Sequence, residues 1–317
     1  MLVDELIAGG TTLVVFDATA DTGEATVAGL LDELRPQIER TLSTSGVVLL
    51  RGLEIGTPEQ FHAVVGRFAD PLTSYRGGNT PRSTVTEGVF TSTEYPPEYE
   101  ISLHNELSYA HTWPQRLYFC CLVPAHTGGA TPVCDGRALL AELDPVVRDR
   151  FVERGVTYRQ HLHGGYGLGK SWQQTFETSD RQEVQRFLDG AGMAYEWTAD
   201  GGLRTAARRP ATRTHPATGE TVWFNQADQW HPSTLPPDEA EALLDLVDDE
   251  ADLPTSVTYG DGQPIPVADL DQVRTAAKKH ELAFQWQQGD VMIVENMLVL
   301  HGRHAYQGAR RVLVSMT

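Results

Sequence analysis

A chain of 317 residues that is 40% hydrophobic, with six Trp, ten Tyr and ten Phe, has enough apolar mass for a packed core and is not a disordered polymer. Its 43 acidic residues against 25 basic ones give a formal net charge of -18, which makes it a poor general partner for nucleic acid or an anionic membrane surface. Its three cysteines, Cys120, Cys121 and Cys134, fit neither a disulfide framework nor zinc-finger spacing; they read as small core residues in a reducing cytoplasm.

The opening stretch MLVDELIAGGTTLVVFD has acids where a signal peptide has bases, and no apolar run approaches the ~20 residues of a membrane span. The expectation is a soluble, cytoplasmic protein. LVVFD (13–17) reads as a strand, and 23–46 as a helix ending at Gly46. VVLLRG (47–52) is a buried strand, and 57–70 a helix with Thr57 as cap and Pro58 in its first turn. From 72 to 135 short strands alternate with Gly, Pro and Asn, and a helix is expected over 136–155. Further strands follow at 156–162, 194–200, 203–215 and 221–226, with helices near 180–191, 237–249 and 266–280. Strands over 290–302 and 309–316 close the chain. No internal repeat, linker or regular βαβ alternation is visible. The pattern predicts one domain over 1–317, mainly β with peripheral helices (α+β), around a β-barrel or jelly-roll core.

GGYGLGKS (164–171) fits the literal phosphate-loop pattern, with Gly164, Gly169, Lys170 and Ser171 on the required positions. A phosphate loop must open directly into a helix. Here WQQTFETSD follows, and a cap-like Ser179-Asp180 precedes the next expected helix, so the segment reads as a glycine-rich loop near a pocket mouth.

SLHNELSYA (102–110) sets His104 and Glu106 two positions apart, on one face if the segment is a strand. With 11 His and 43 acids, about one or two such pairs arise by chance, so the pair needs a third partner. ENMLVLHGRHAYQGARRVLVSM (295–316) supplies one. His301 ends an apolar run, and Arg310 and Arg311 enter the last strand. Two histidines and a carboxylate can cap one face of an octahedral Fe(II), leaving three positions for a bidentate 2-oxo acid and dioxygen. The far carboxylate of such an acid needs a fixed cation, and arginine's planar fork suits it. Thr131, in GGATPVCD (128–135), can offer that carboxylate a hydroxyl.

These segments, with GLGKSWQQTFETSDRQEV and LRTAARRPATRTHPATGETVWFNQADQWHPSTL, resemble the TauD/TfdA family of Fe(II)/2-oxoglutarate-dependent dioxygenases from about residue 45 to the end, and within it the SyrP-like branch of specialised (antibiotic) metabolism. The resemblance implies a double-stranded β-helix (jelly-roll, cupin-like) and an oxidoreductase using O2. It implies His104, Glu106 and His301 as metal ligands, and Thr131 with one of Arg310 and Arg311 as 2-oxoglutarate contacts. Arg310 is favoured by an Arg-Lys pairing in related chains, Arg311 by its spacing from the distal histidine. Many relatives carry Asp where this chain has Glu106; a carboxylate of either length argues against halogenation. The implied reaction hydroxylates an unactivated C–H bond, with 2-oxoglutarate decarboxylated to succinate and CO2; desaturation or cyclisation would use the same residues. A zinc hydrolase also suits two histidines and a glutamate, but leaves the arginine without a role. A metal-free binding jelly roll leaves the whole triad without one.

For substrate, the loop 75–85 could close over the metal with Arg82 paired to a carboxylate. Asn225 and Gln226 in WFNQADQW offer paired amides, and Asn105 and Tyr109 flank the ligands. The expected substrate is a small amino-acid-like molecule, free or tethered to a carrier protein. Six further histidines (His111, His126, His161, His163, His231 and His304) are expected to be structural, pocket-lining or at the surface.

Overall fold

The computed structural model of the chain describes residues 2–18, 27–73, 83–92, 95–247 and 249–317. Eight strands form one sheet in the order Leu2–Ala8, Thr11–Asp17, Val47–Arg51, Val291–Glu295, Arg116–Val123, Arg311–Met316, Val89–Thr91, Thr84–Thr86. The pairing of Thr11–Asp17 with Val47–Arg51 is parallel, and the helix Val27–Ser45 lies between them in the chain, as a parallel neighbour requires a crossover. A three-stranded sheet runs in the order Ile101–His104, Val299–Arg303, Val133–Asp135.

The two sheets share one core. Leu49, Phe119, Met292 and Val314 of the large sheet pack with Val133 and Val299 of the small one. The alternate residues Val48, Tyr118, Ile293 and Leu313 face the other way, onto Leu31, Ile38 and Leu42 of the helix Val27–Ser45 and Phe61 of the helix Pro58–Val65. Strands buried on both faces explain why VVLL and VMIV read as unbroken apolar runs. The expected jelly-roll core with outer helices is therefore present. A separate four-stranded sheet runs in the order Ala194–Trp197, Leu203–Arg209, Val156–Leu162, Thr255–Tyr259.

Three expected elements divide. The helix at 136–155 is two helices, Gly136–Glu142 and Pro145–Arg154, because Asp144 caps a new start at Pro145. The strand at 203–215 breaks into Leu203–Arg209 and Thr212–Thr214 around Pro210, which cannot donate to a ladder. The run 290–302 is two strands, Val291–Glu295 and Val299–Arg303, belonging to different sheets. The turn at Asn296 carries the chain from one layer of the jelly roll to the other. Among the described residues no helix is long and apolar enough to cross a membrane.

Glu295 ends the strand before that turn with its side chain 6% exposed, 3.6 Å from Arg116 and 3.7 Å from His215. Burial pushes its carboxyl up to about 7; Arg116 pulls the other way, and Glu39 adds to the rise. A raised acid contributes stability fully below its unfolded pKa, and this is lost as pH climbs through the folded value. A rise of that size corresponds to about 3 kcal/mol. Glu295→Gln should therefore gain stability relative to the native chain between pH 5 and 8. Urea titrations at both values check this, and a gap independent of pH would contradict it.

Candidate metal centre and the pockets beside it

His104 is the last residue of Ile101–His104 and stands directly opposite His301 on Val299–Arg303. Their rings lie 4.4 Å apart, and Phe119 packs 5.1 Å from His301. Gly302 allows the close pairing, since a Cβ there would sit 2.5 Å from the Ile101 carbonyl. Glu106 is not on the strand. The ladder stops at His104, and residues 106–109 form a turn in which Leu107 takes a left-handed φ of 54°. Even so, a ligand atom from each of His104, Glu106 and His301 lies within 4.8 Å of the others, and all three residues are buried.

Asn296 explains how a residue past the strand end is held. Its Oδ1 accepts from the Glu106 N–H at 2.8 Å, and its Nδ2 donates to the Glu106 and Pro114 carbonyls, each at 2.9 Å. Asn105, expected at the substrate, instead donates its Nδ2 to the Asn296 carbonyl at 2.6 Å and is wholly buried. Two amides thus tie the carboxylate's turn to the loop that leads into the His301 strand. Sequence reading missed Asn296 because its partners lie about 190 positions away.

The donor set fits a divalent metal. The Ser102 carbonyl lies 2.9 Å from His104 Nδ1, so an Nδ1–H donates there and Nε2 keeps its lone pair. The Gln229 Nε2 donates to the same carbonyl at 3.1 Å and sits 3.0 Å from Nδ1. Gln229 in turn accepts from Gln226 at 2.8 Å. Gln226, expected to meet substrate, belongs to this chain of amides that orients His104. Asn225 is also structural: its Nδ2 donates to Ala211 and its Oδ1 accepts from the Ala227 N–H. Both line a separate cavity with Arg274 and Glu281, away from the ligand atoms. Arg82 lies outside the described residues.

Beside the triad is a small pocket lined by His104, His301, Thr131, Arg303 and Arg310. Thr131 Oγ1 accepts from Trp286 Nε1 at 3.1 Å and from Arg310 Nη2 at 3.3 Å. With both lone pairs engaged, its hydroxyl hydrogen is left to donate. Arg310 Nε donates to the Gly129 carbonyl at 2.9 Å, and Gly129, at φ 70°, has no side chain to obstruct it; a Cβ would sit 3.0 Å from Arg310 Cδ. Burial, helped by the Arg303 charge, brings the Arg310 guanidinium down to about 10. Arg303, another residue the sequence reading left without a role, donates to the carbonyls of Tyr95, Pro96 and Tyr99 and fixes that loop at the rim. Arg311 is exposed and does not line the pocket; it lies at a register shift where the strand begins, one residue out of phase with Arg310. Of the two arginines, Arg310 is therefore the one placed at the pocket.

A larger cavity of about 330 Å³ begins one residue beyond Glu106, lined by Leu107, Tyr109, Phe176, Phe187 and Trp230. The metal-side pocket, with Arg310 in its wall, is only about 30 Å³.

Other histidines have partners of their own: His161 with Asp252, His304 with Glu281, His231 with Ser233. His163 Nδ1 accepts from Gly165. The Gly-rich segment does lead into a helix capped by Ser171, contrary to expectation, but Trp172–Phe176 is a single turn. Its preceding strand is antiparallel to both neighbours, so the phosphate-loop context is absent. The three cysteines are buried and unpaired, with thiols pushed up by burial.

Comparison with known proteins agrees with this architecture. PvcB of Pseudomonas aeruginosa superposes with a TM-score of 0.55 at 16% identity, covering 99% of this chain and 90% of its own. A taurine dioxygenase of Burkholderia xenovorans gives 0.51 at 17%, over 99% and 90%. In sequence, the dapdiamide synthesis protein DdaC of Enterobacter agglomerans is 35% identical over 298 residues, 94% of this chain and 89% of that protein. A clavaminate synthase-like protein of Arabidopsis thaliana is 30% identical over 287 residues, 88% and 83% of the two chains. The family profile described as "Taurine catabolism dioxygenase TauD, TfdA family" matches residues 15–317, a span that takes in His104, Glu106, Thr131, His301 and Arg310, and the chain belongs to that family.

Proposed function

We propose that this chain is an Fe(II)- and 2-oxoglutarate-dependent oxygenase of a small, amino-acid-derived substrate. The observation that carries the reading is the pairing of two sites: a buried His104, Glu106, His301 donor set and, beside it, the Arg310 and Thr131 side chains. His104, Glu106 and His301 would hold the iron, which when bound supplies the activation of dioxygen for attack on a C–H bond. The protein's own part is orientation. Ser102 and Gln229 fix the His104 ring. Arg310 would exchange the Gly129 carbonyl for the distal carboxylate of 2-oxoglutarate, and Thr131 would donate its remaining hydrogen to it. The buried walls keep water from the reacting centre. DdaC, named for dapdiamide synthesis, supports a biosynthetic role on an amino-acid-like molecule, free or carrier-tethered. Hydroxylation is the outcome we assign.

The test is an anaerobic spectrum of the protein with Fe(II) and 2-oxoglutarate. A weak charge-transfer band, expected at about 500–530 nm for such chelates, would support the reading. Bound iron without that band, and no iron-dependent succinate formation, would sink it.

Arg310→Met should raise the KM for 2-oxoglutarate on the order of 10- to 100-fold, since a charge-assisted pair contributes about 1.5–3 kcal/mol. Thr131→Val should cost about fivefold, the worth of one neutral hydrogen bond. Arg311→Met should change little. Succinate release against 2-oxoglutarate concentration measures all three, and a larger effect at Arg311 than at Arg310 would reverse the assignment.

A further inference from the structure

The cavity beyond Glu106 carries a feature its apolar walls do not explain. Val156–Leu162 and Leu203–Arg209 pair antiparallel, with Tyr158 opposite Ala207 and Gln160 opposite Thr205. All four line the cavity, as the two-residue period of the strands dictates. Gln160 is 7% exposed and Thr205 4%. Among the described residues, the buried Gln160 Nε2 and Thr205 Oγ1 meet no hydrogen-bond partner. An unmet buried polar group costs about 1–3 kcal/mol. The two residues stand opposite one another on the sheet face that lines the cavity, so a ligand seated there has two unmet polar side chains in its wall.

Among the described residues, no Asp, Glu, Lys or Arg lines this cavity. The ammonium and carboxylate of a free amino acid would lose their hydration there without a counter-charge, at several kcal/mol per ion. Aromatic walls from Tyr109, Phe187 and Trp230 suit a flat or bulky apolar group. An amide matches the two polar groups: its carbonyl accepts from Gln160 Nε2, and its N–H donates to Thr205 Oγ1. We propose that this cavity binds a neutral, apolar or aromatic moiety bearing an amide, and that the substrate is therefore an N-acylated or amide-linked amino-acid derivative rather than a free zwitterion. The assignment of the ligand as substrate rests on the oxygenase reading; the binding chemistry of the cavity does not.

The probe is N-acetyl-L-phenylalaninamide, with free L-phenylalanine as the charged control. Trp113 and Trp230 line the cavity, so their fluorescence reports occupancy. The neutral probe should bind saturably, and the zwitterion at least tenfold more weakly. Gln160→Leu and Thr205→Val should each weaken the probe about fivefold, the worth of one hydrogen bond. Neither should lower the Tm, because each removes an unmet polar group; a residue of purely structural importance would show the reverse. Ala207→Phe, which fills the cavity from the sheet face, should abolish binding if the polar variants fold poorly. Equal affinity for probe and zwitterion, no saturable binding of the probe, or unchanged affinity in Ala207→Phe would overturn the proposal. His301→Ala should keep probe binding while losing the chelate band. Probe binding in a wild type that shows no band would overturn the oxygenase reading alone, and a band without probe binding would overturn the cavity alone.

Discussion

Changing His301 to alanine should abolish iron-dependent consumption of 2-oxoglutarate and cut Fe(II) affinity by more than 100-fold. The estimate is a lower bound: altering residues that only orient a metal ligand already costs about 10- to 100-fold. The fold should survive. The His301 strand is held by backbone pairing to Ile101–His104 and Val133–Asp135. Truncation should cost about 1–2 kcal/mol from the lost contact with Phe119. The two effects are separable. A ligand that binds only the native state raises its stability by mass action. Anaerobic Fe(II) should therefore raise the Tm of the wild type and leave that of His301→Ala unmoved. An iron-linked shift that persists in the variant would mean that the metal sits elsewhere.

What could be read in the sequence was what local chemistry specifies. His104, Glu106 and His301 carry donor atoms whose chemistry does not depend on context, and Thr131 and Arg310 complete a pattern that few other reactions need. The jelly roll was legible because short strands and turn residues announce themselves locally. What failed depended on tertiary partners. Asn225 and Gln226 offer paired amides in the sequence, and in the fold these bond Ala211, Ala227, Gln229 and Ser108. Arg310 and Arg311 are adjacent, and only the irregular register at the strand's start decides which turns inward. Gln160 and Thr205 look ordinary in sequence, because a polar residue in a strand usually faces solvent. Glu106 lies beyond its strand because the chain turns there, and that turn exists through a residue no local pattern could nominate.

That residue is Asn296, and Asn296→Ala is the second large effect. Asn296 is fully buried, and its side chain serves the Glu106 N–H, the Glu106 carbonyl and the Pro114 carbonyl. Alanine leaves all three without that partner, at about 3–5 kcal/mol in total, since single buried polar groups cost about 1–3 kcal/mol and larger sums are rare. The turn also holds Leu107 at a left-handed φ, which costs an ordinary residue about 1–2 kcal/mol and relaxes once the clamp is gone. Relaxation moves Glu106 away from the histidines, so the loss should fall on the metal as well as on stability. A control separates the two. Leu42→Ala empties a fully packed site on the outer helix, on the far side of the large sheet, and should destabilise by about 2–5 kcal/mol. Measured at 10 °C, where both variants remain folded, Fe(II) affinity should fall at least tenfold in Asn296→Ala and stay at the wild-type value in Leu42→Ala. If both variants bind iron alike, Asn296 is a stabilising residue only, and the carboxylate finds the metal without its clamp. If only Asn296→Ala loses iron, the turn between the two sheets sets the position of the third ligand, and the jelly roll's crossover is part of the metal site.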